Sequence, residues 1–177
     1  VTDDRPARLD RATFDALYRR LERSLYNVVY RWVWSSEDAH EIVQEAFVRL
    51  WDMRARVRMD SVEPLVYRIA VNLASKRRRW KKRWDWLQRA PSPTLASAEH
   101  RADDALVRAV DDARVRAAVE SLPEHERAVV MLVNFSELSY AQVAEALQIA
   151  PGTVGSRRNA ALRRLRTALE EDHARAR

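Results

Sequence analysis

No cysteine occurs among the 177 residues, and glycine occurs only twice, as Gly152 and Gly155. The first absence excludes disulfides, thiolate metal sites and a cysteine nucleophile, and it fits a reducing compartment. The second withholds the residue on which tight hairpin turns depend. With Ala, Arg, Leu and Glu abundant, an all-α protein is expected. Long apolar runs are lacking too: the longest, AVVMLV at 128–133, falls far short of the ~20 residues of a membrane span. No N-terminal signal pattern is evident, so a soluble, cytoplasmic protein without membrane insertion is expected. There is no glycine-rich loop to cradle phosphates. The sequence HEIVQ at 40–44 begins like the zinc motif HExxH, but Gln44 stands where the second histidine belongs. His100, His125 and His173 have no ligand spacing, so neither a metal, a cofactor nor catalysis is expected.

What the chain has is positive charge, unevenly placed. Residues 1–90 hold 20 Lys+Arg against 13 Asp+Glu, whereas residues 121–177 hold 8 against 7. The excess concentrates in KRRRWKKR, 76–83, where every residue but Trp80 is cationic. A charge run is usually a solvated helix face. Here the charges surround the helix, where self-repulsion is costly until a polyanion relieves it, and nucleic acid is the polyanion that fits.

Periodicity divides the first ninety residues into helices. Phe14, Leu17, Tyr18, Leu21, Leu25 and Val28 recur at three and four, as do Ala39, Ile42, Val43, Ala46, Phe47 and Leu50. Ser36 is the expected cap of the second helix, with Glu37 and Asp38 in its first turn. The stretch 52–63 has no clean period and reads as a loop; a third helix is expected near Pro64, with Leu65, Ile69, Leu73 and Trp80 on one side. APSPTLASAEH, 90–100, loses periodicity and reads as a linker. Beyond it Leu106, Val110, Ala113 and Ala117 mark another helix, and Pro123 opens the next, with Val129, Val130 and Val133 inward.

Near the C-terminus, Ser139 and Gln142 form a capping box before the apolar face Tyr140, Val143, Ala144 and Leu147. Pro151 suits the first position of a following helix whose inner face is Val154, Ala161 and Leu165, with Arg158 awkwardly in the same stripe. Two short helices joined by a tight turn match a helix-turn-helix, a pattern shared with many plain helical hairpins. Thr153, Ser156, Arg157 and Asn159 are expected to face outward, hydroxyls suiting phosphates and Arg157 and Asn159 suiting guanine and adenine.

Three stretches, in this order, resemble the bacterial sigma-70-type initiation factors, specifically their extracytoplasmic-function (ECF) group: DAHEIVQEAFVRLW (38–51), PLVYRIAVNLASKRRR (64–79) and LPEHERAVVMLVNFSELSYAQVAEALQIAPGTVGSRR (122–158). The resemblance implies a region 2-like helical bundle at 1–89, a linker at 90–105 and a region 4-like helix-turn-helix domain at 106–177. It implies that Asp38, Glu41, Gln44 and Glu45 contact core RNA polymerase; by spacing alone, the three carboxylates share one helix face. It also implies that Asn72 holds a base drawn from the promoter minus-10 element, followed by Lys76, Arg77, Arg78, Trp80, Lys81 and Lys82 on promoter DNA. Trp80, Trp84, Trp86 and Tyr67 offer stacking surfaces for single strands, and Tyr67 and Trp80 fit a core equally well. Thr153, Ser156, Arg157 and Asn159 would meet the minus-35 element. An anti-sigma factor is the implied regulator. Gly155 and Ala160 depart from the basic or bulky residues common in the family, Arg158 replaces an aliphatic one, and Glu137 replaces a turn glycine, which predicts a weakened minus-35 contact. The competing reading, a stand-alone helix-turn-helix regulator of duplex DNA, explains 139–166 but neither the acidic face nor the linker.

Overall fold

The computed structural model describes residues 9–87 and 104–175. Among these residues there are seven α-helices, two short 3-10 turns and no strand. Helix α1 (Arg11–Val33) starts where the Asp10 carboxylate accepts the Thr13 amide at 2.8 Å, a bond that holds the carboxyl below its ordinary pKa. It ends at Trp34, whose left-handed backbone (φ 54°, ψ 33°) turns the chain toward α2 (Ser36–Asp52). Such a conformation costs a bulky residue about 1 kcal/mol, and the Trp34 ring compensates by packing edge-on against Tyr30. That turn leaves Ser35 extended, so Ser35 rather than the expected Ser36 caps α2, accepting from the Asp38 amide at 3.3 Å.

The expected loop at 52–63 contains the two 3-10 turns, Arg54–Arg56 and Met59–Ser61. Helix α3 (Val62–Leu87) then begins two residues before Pro64, which sits in the first turn where its missing amide costs nothing. Helices α4 (Asp104–Ser121), α5 (Glu124–Phe135), α6 (Tyr140–Leu147) and α7 (Pro151–Arg175) follow. The linker expected at 90–105 lies outside the described residues except for its last two, which already belong to α4.

The stripes read from α1 and α2 are the buried ones: Leu17, Leu21, Leu25 and Val28, and all six apolar positions of α2. Three other stripes differ. In α3 the buried centre is Val66, Tyr67, Ala70, Val71 and Ala74, while Leu65, Ile69 and Leu73 form its half-buried shoulder and Trp80 is exposed. The reason is that α3 packs against α1, α2 and α6 together, so its buried arc is wider than one stripe. In α4, the side chains of Leu106 and Val110 lie outside the described residues; Ala113 and Ala117 are exposed whereas Ala118 and Val119 are buried, and Leu122 just beyond the helix is buried with them. In α6, Tyr140 is 47% exposed. The two helical units do not stand apart: α5 packs on α1 and α6 on α3, and one apolar cluster runs from Leu9 to Ala161 through both.

Candidate nucleic-acid interface

The long third helix presents the basic run on a rod that continues past the core. Asn72, Lys76 and Trp80 are spaced four apart and exposed, so they form one ridge. Trp84 continues it: the two indoles stack with centroids 5.6 Å apart and planes within 11°. Trp86 is exposed as well, as are Lys81, Lys82 and Arg83. Flat π-faces beside cations suit unpaired bases on a phosphate strand. Tyr67, the other aromatic considered for stacking, is fully buried and shares a 2.7 Å hydrogen bond with Ser24, so it belongs to the core. Burial pushes its phenol up to about 12, with Glu137 and Glu63 adding to the rise.

Three arginines of the run are engaged within the protein. Arg77 donates to Asp38 and, at 2.7 Å, to Glu41, so a residue expected on DNA is tied to two expected on polymerase. Its guanidinium pKa is raised further, foremost by the Glu41 hydrogen bond. Arg78 is half-buried, donates to the Glu120 carbonyl at 3.3 Å, and has its pKa lowered by desolvation. Arg79 pairs with Glu124 at 3.0 Å.

On α2, Glu41, Gln44 and Glu45 are exposed and Asp38 is half-buried. Between this face and α3 lies a groove of about 740 Å³ with Ile42, Val48 and Leu73 among its lining and Gln44, Glu45 and Trp80 alongside. Polar rims over an apolar floor suit a protein partner. A second recess, of about 800 Å³, is lined by Arg49, Arg56, Arg58 and Arg68 together with Asp52. Periodicity shows this stretch only as loop; the alternation RARVR at 54–58 is the signal that could have found the recess. Arg58 there is paired with Asp60 at 2.7 Å.

The helix-turn-helix is built as its caps dictate. Ser139 Oγ accepts the Gln142 amide while Gln142 Oε1 accepts the Ser139 amide at 2.9 Å. Gln148, left-handed at φ 54°, closes α6, and Pro151 opens α7. Ser156 and Asn159 are exposed; Thr153 and Arg157 are half-buried. The Ser156 hydroxyl spends its proton on the Thr153 carbonyl at 3.1 Å, which leaves the oxygen as an acceptor. Arg158 points inward: it is half-buried, and its Nε is buried with no hydrogen-bond partner. A methyl group at Gly155 would meet open space, so the glycine is not required by packing.

Arg127, which periodicity does not single out, is 3% exposed. It donates to the carbonyls of Val119 (3.0 Å), Glu120 (2.7 Å) and Leu122 (2.7 Å), closing the C-terminal end of α4. The buried Glu126 beside it pairs with Arg164 of α7 at 3.1 Å. Among the described residues no cluster of three His, Asp or Glu could hold a metal, and no helix is long and apolar enough to cross a membrane. The His40 ring is hydrogen-bonded to the Ser36 carbonyl at 2.8 Å.

A bundle with a basic, indole-bearing helix is joined in one chain to a helix-turn-helix. Residues 17–84 match Sigma-70 region 2, and residues 112–165 match Sigma-70, region 4. The chain is 31% identical over 151 residues to the ECF RNA polymerase sigma factor SigM of Mycobacterium tuberculosis, covering 84% of this chain and 72% of that protein. It is 29% identical over 163 residues to the RNA polymerase sigma-H factor of Pseudomonas aeruginosa, covering 87% of this chain and 84% of the other. In fold it is similar to the sigma factor RpoE crystallised with the anti-sigma factor NepR from Bartonella quintana, with a TM-score of 0.66 at 20% identity over 89% of this chain and 96% of that one. The chain belongs to the sigma-70 family, in its ECF group.

Proposed function

We propose that this sigma factor directs core RNA polymerase to promoters through three separate surfaces. The acidic face of α2, with Glu41, Gln44 and Glu45 exposed and Asp38 behind them, docks on the polymerase. The ridge of α3 takes the minus-10 element: Asn72 offers an amide that can both donate to and accept from a base edge, the exposed indole of Trp80 stacks, and Lys76, Lys81 and Lys82 meet phosphates. Arg77 and Arg78 join them once released from their present partners. The outer side of α7 meets the minus-35 element through Thr153, Ser156, Arg157 and Asn159, and an amino-terminal helix end there suits phosphate. Because Arg158 turns inward and Gly155 presents no side chain, the duplex contact is small, and most affinity comes from the α3 surface.

The observation that carries this reading is the coexistence of the exposed carboxylate face and the indole-and-cation ridge on adjacent helices of one unit. A duplex-binding regulator that acts without polymerase has no use for either. An anti-sigma factor is the proposed regulator, and the partnership stated for the Bartonella relative supports it. Run-off transcription with purified core polymerase on a promoter library tests the reading: start sites should appear only when factor and core are both present. Sequence-selective duplex binding with no effect on core polymerase would replace it with the stand-alone regulator.

A further inference from the structure

Where α1 ends, α3 and α4 come together around a recess of about 230 Å³. Its wall is strongly basic. Arg77, Arg78, Lys81 and Lys82 of α3 and Arg116 of α4 line it with five cations, against the two carboxylates of Asp38 and Glu120. Both carboxylates are already engaged: Asp38 pairs with Arg77, and Glu120 with Arg116 at 3.0 Å. Among the described residues no carboxylate forms an ion pair with Arg78, Lys81 or Lys82, so three positive charges border one small space without a counter-charge in contact. Arg78 is the most constrained of the three. It is half-buried, and the one hydrogen bond of its guanidinium is to the neutral Glu120 carbonyl at 3.3 Å. Desolvation lowers its pKa, and the charges of Glu120 and Glu124 offset only part of that fall. A further donor belongs to the wall: Trp32 is 2% exposed, and its indole N–H is buried with no hydrogen-bond partner. A buried donor left unpaired is costly, and an acceptor drawn against the ring would relieve it.

We infer that this recess binds a free diphosphate-type anion, held between Arg78, Lys81 and Lys82 on one side and Arg116 on the other. Charge sets the valence: a multiply charged oxyanion answers the three unpaired cations, whereas a singly charged one leaves two of them unanswered. Size sets the class. Pockets for organic ligands run to about 300–1,000 Å³, so this one is too small for a nucleotide with its sugar and base. It has room for roughly seven waters, enough for two linked phosphoryl groups. A DNA strand is kept from the interior for the same reason, and one that meets Lys81 and Lys82 does so from outside. The donors match the ligand: the planar guanidinium forks of Arg78 and Arg116 suit paired contacts to phosphoryl oxygens, and the lysines act as mobile point charges. The site stands on the seam between α1, α3 and α4 and does not depend on the reading of the α3 run as a DNA contact.

Isothermal titration calorimetry of the full chain with sodium pyrophosphate, at constant ionic strength, tests the site. Binding should saturate at one ion per chain, and sulfate, a single tetrahedron of lower charge, should bind at least about tenfold more weakly. Arg116→Gln should weaken pyrophosphate by about tenfold or more, the loss of one charge-assisted hydrogen bond. Glu120→Gln should do the reverse and tighten it by about threefold, because a competing negative charge is removed; tighter binding cannot come from a misfolded variant. Arg56→Gln with Arg68→Gln, in the larger basic recess, should leave the affinity unchanged. In amide and indole proton–nitrogen spectra the Trp32 indole signal, identified among the six tryptophans by its loss in Trp32→Phe, should move as the site fills. Absence of saturable binding at millimolar pyrophosphate would overturn the proposal. Equal weakening by the Arg56 and Arg68 pair would overturn it too, by reducing the effect to general charge attraction. The last arm separates a free ion from the phosphates of a strand: Arg116→Gln should bind a single-stranded oligonucleotide as the native chain does. A parallel loss there would show that strand phosphates occupy the recess and would refute the assignment to a free anion.

Discussion

Replacing Arg127 by alanine should be among the most damaging single changes in the second unit. The residue is 3% exposed and its guanidinium makes three hydrogen bonds to backbone carbonyls, at 2.7–3.0 Å, where α4 ends. Of the three, the Val119 carbonyl also accepts the Leu122 amide at 3.2 Å, so the arginine matters most to the carbonyls of Glu120 and Leu122. A hydrogen bond to a charged group contributes about 1.5–3 kcal/mol, which sets a gross ceiling of roughly 5–9 kcal/mol for three. Two terms reduce it: the buried guanidinium no longer has to be desolvated, and water can enter the emptied space to reach the carbonyls. The net loss should be about 3–5 kcal/mol, the range seen when one partner of a buried charged contact is removed. For a chain of this length that lowers the melting temperature by about 10 °C. Arg127→Lys should lie between, because a single ammonium cannot spread across three acceptors as the planar fork does. Urea and thermal unfolding followed by circular dichroism measure both variants. An Arg127→Ala protein within about 0.5 kcal/mol of the native chain, the range of an ordinary surface substitution, would refute the reasoning.

Glu41→Lys with Glu45→Lys should sharply weaken binding to core polymerase in a pull-down while the fold persists; Asp38→Asn should in addition cost about 1 kcal/mol, since its partner Arg77 is half-buried. Arg157→Ala should lose about 1–3 kcal/mol at the preferred minus-35 sequence and relax the preference there, whereas Lys81→Ala with Lys82→Ala should weaken binding to all sequences and flatten its salt dependence. Titrations on matched and mismatched duplexes at several salt concentrations separate the two, and unchanged preference in Arg157→Ala would remove that residue from base readout. The Tyr67 phenol, raised to about 12 against an unfolded value near 10, gives stability that is complete below about pH 10 and is lost as pH rises toward 12. Alkaline unfolding should be shallower over that interval in Tyr67→Phe, which at neutral pH loses about 1 kcal/mol with the Ser24 hydrogen bond; identical alkaline profiles would contradict the assignment. Gly155→Ala meets open space and should stabilise α7 by about 0.5–1 kcal/mol; a simultaneous fall in promoter binding would mean that DNA uses the gap.

Helix content and some helix ends were legible because they are local properties. The lack of glycine, the capping box at Ser139 and Gln142, and Pro151 at a first helical position act over three or four residues, and the structure has each where the sequence pattern puts it. The ordered stretches that mark the sigma-70 family were equally legible, since they are strings of residue types. Periodicity identified the buried faces of α1 and α2, each one stripe wide. It erred on α3 because a stripe shows that a helix has an inner side without showing how many neighbours it meets, and α3 meets three. Only the fold decided that Tyr67 is core while Trp80 is surface, although both stood beside the same helix stripe. Only the fold brought Arg77 to Asp38 and Glu41 across 39 and 36 positions, and set Arg78 and Arg79 against the α4–α5 corner. Charged residues read along a chain all look solvated. Which of them lose water is settled by packing between distant segments, where a guanidinium can be buried, as Arg127 is, once enough carbonyls converge on it.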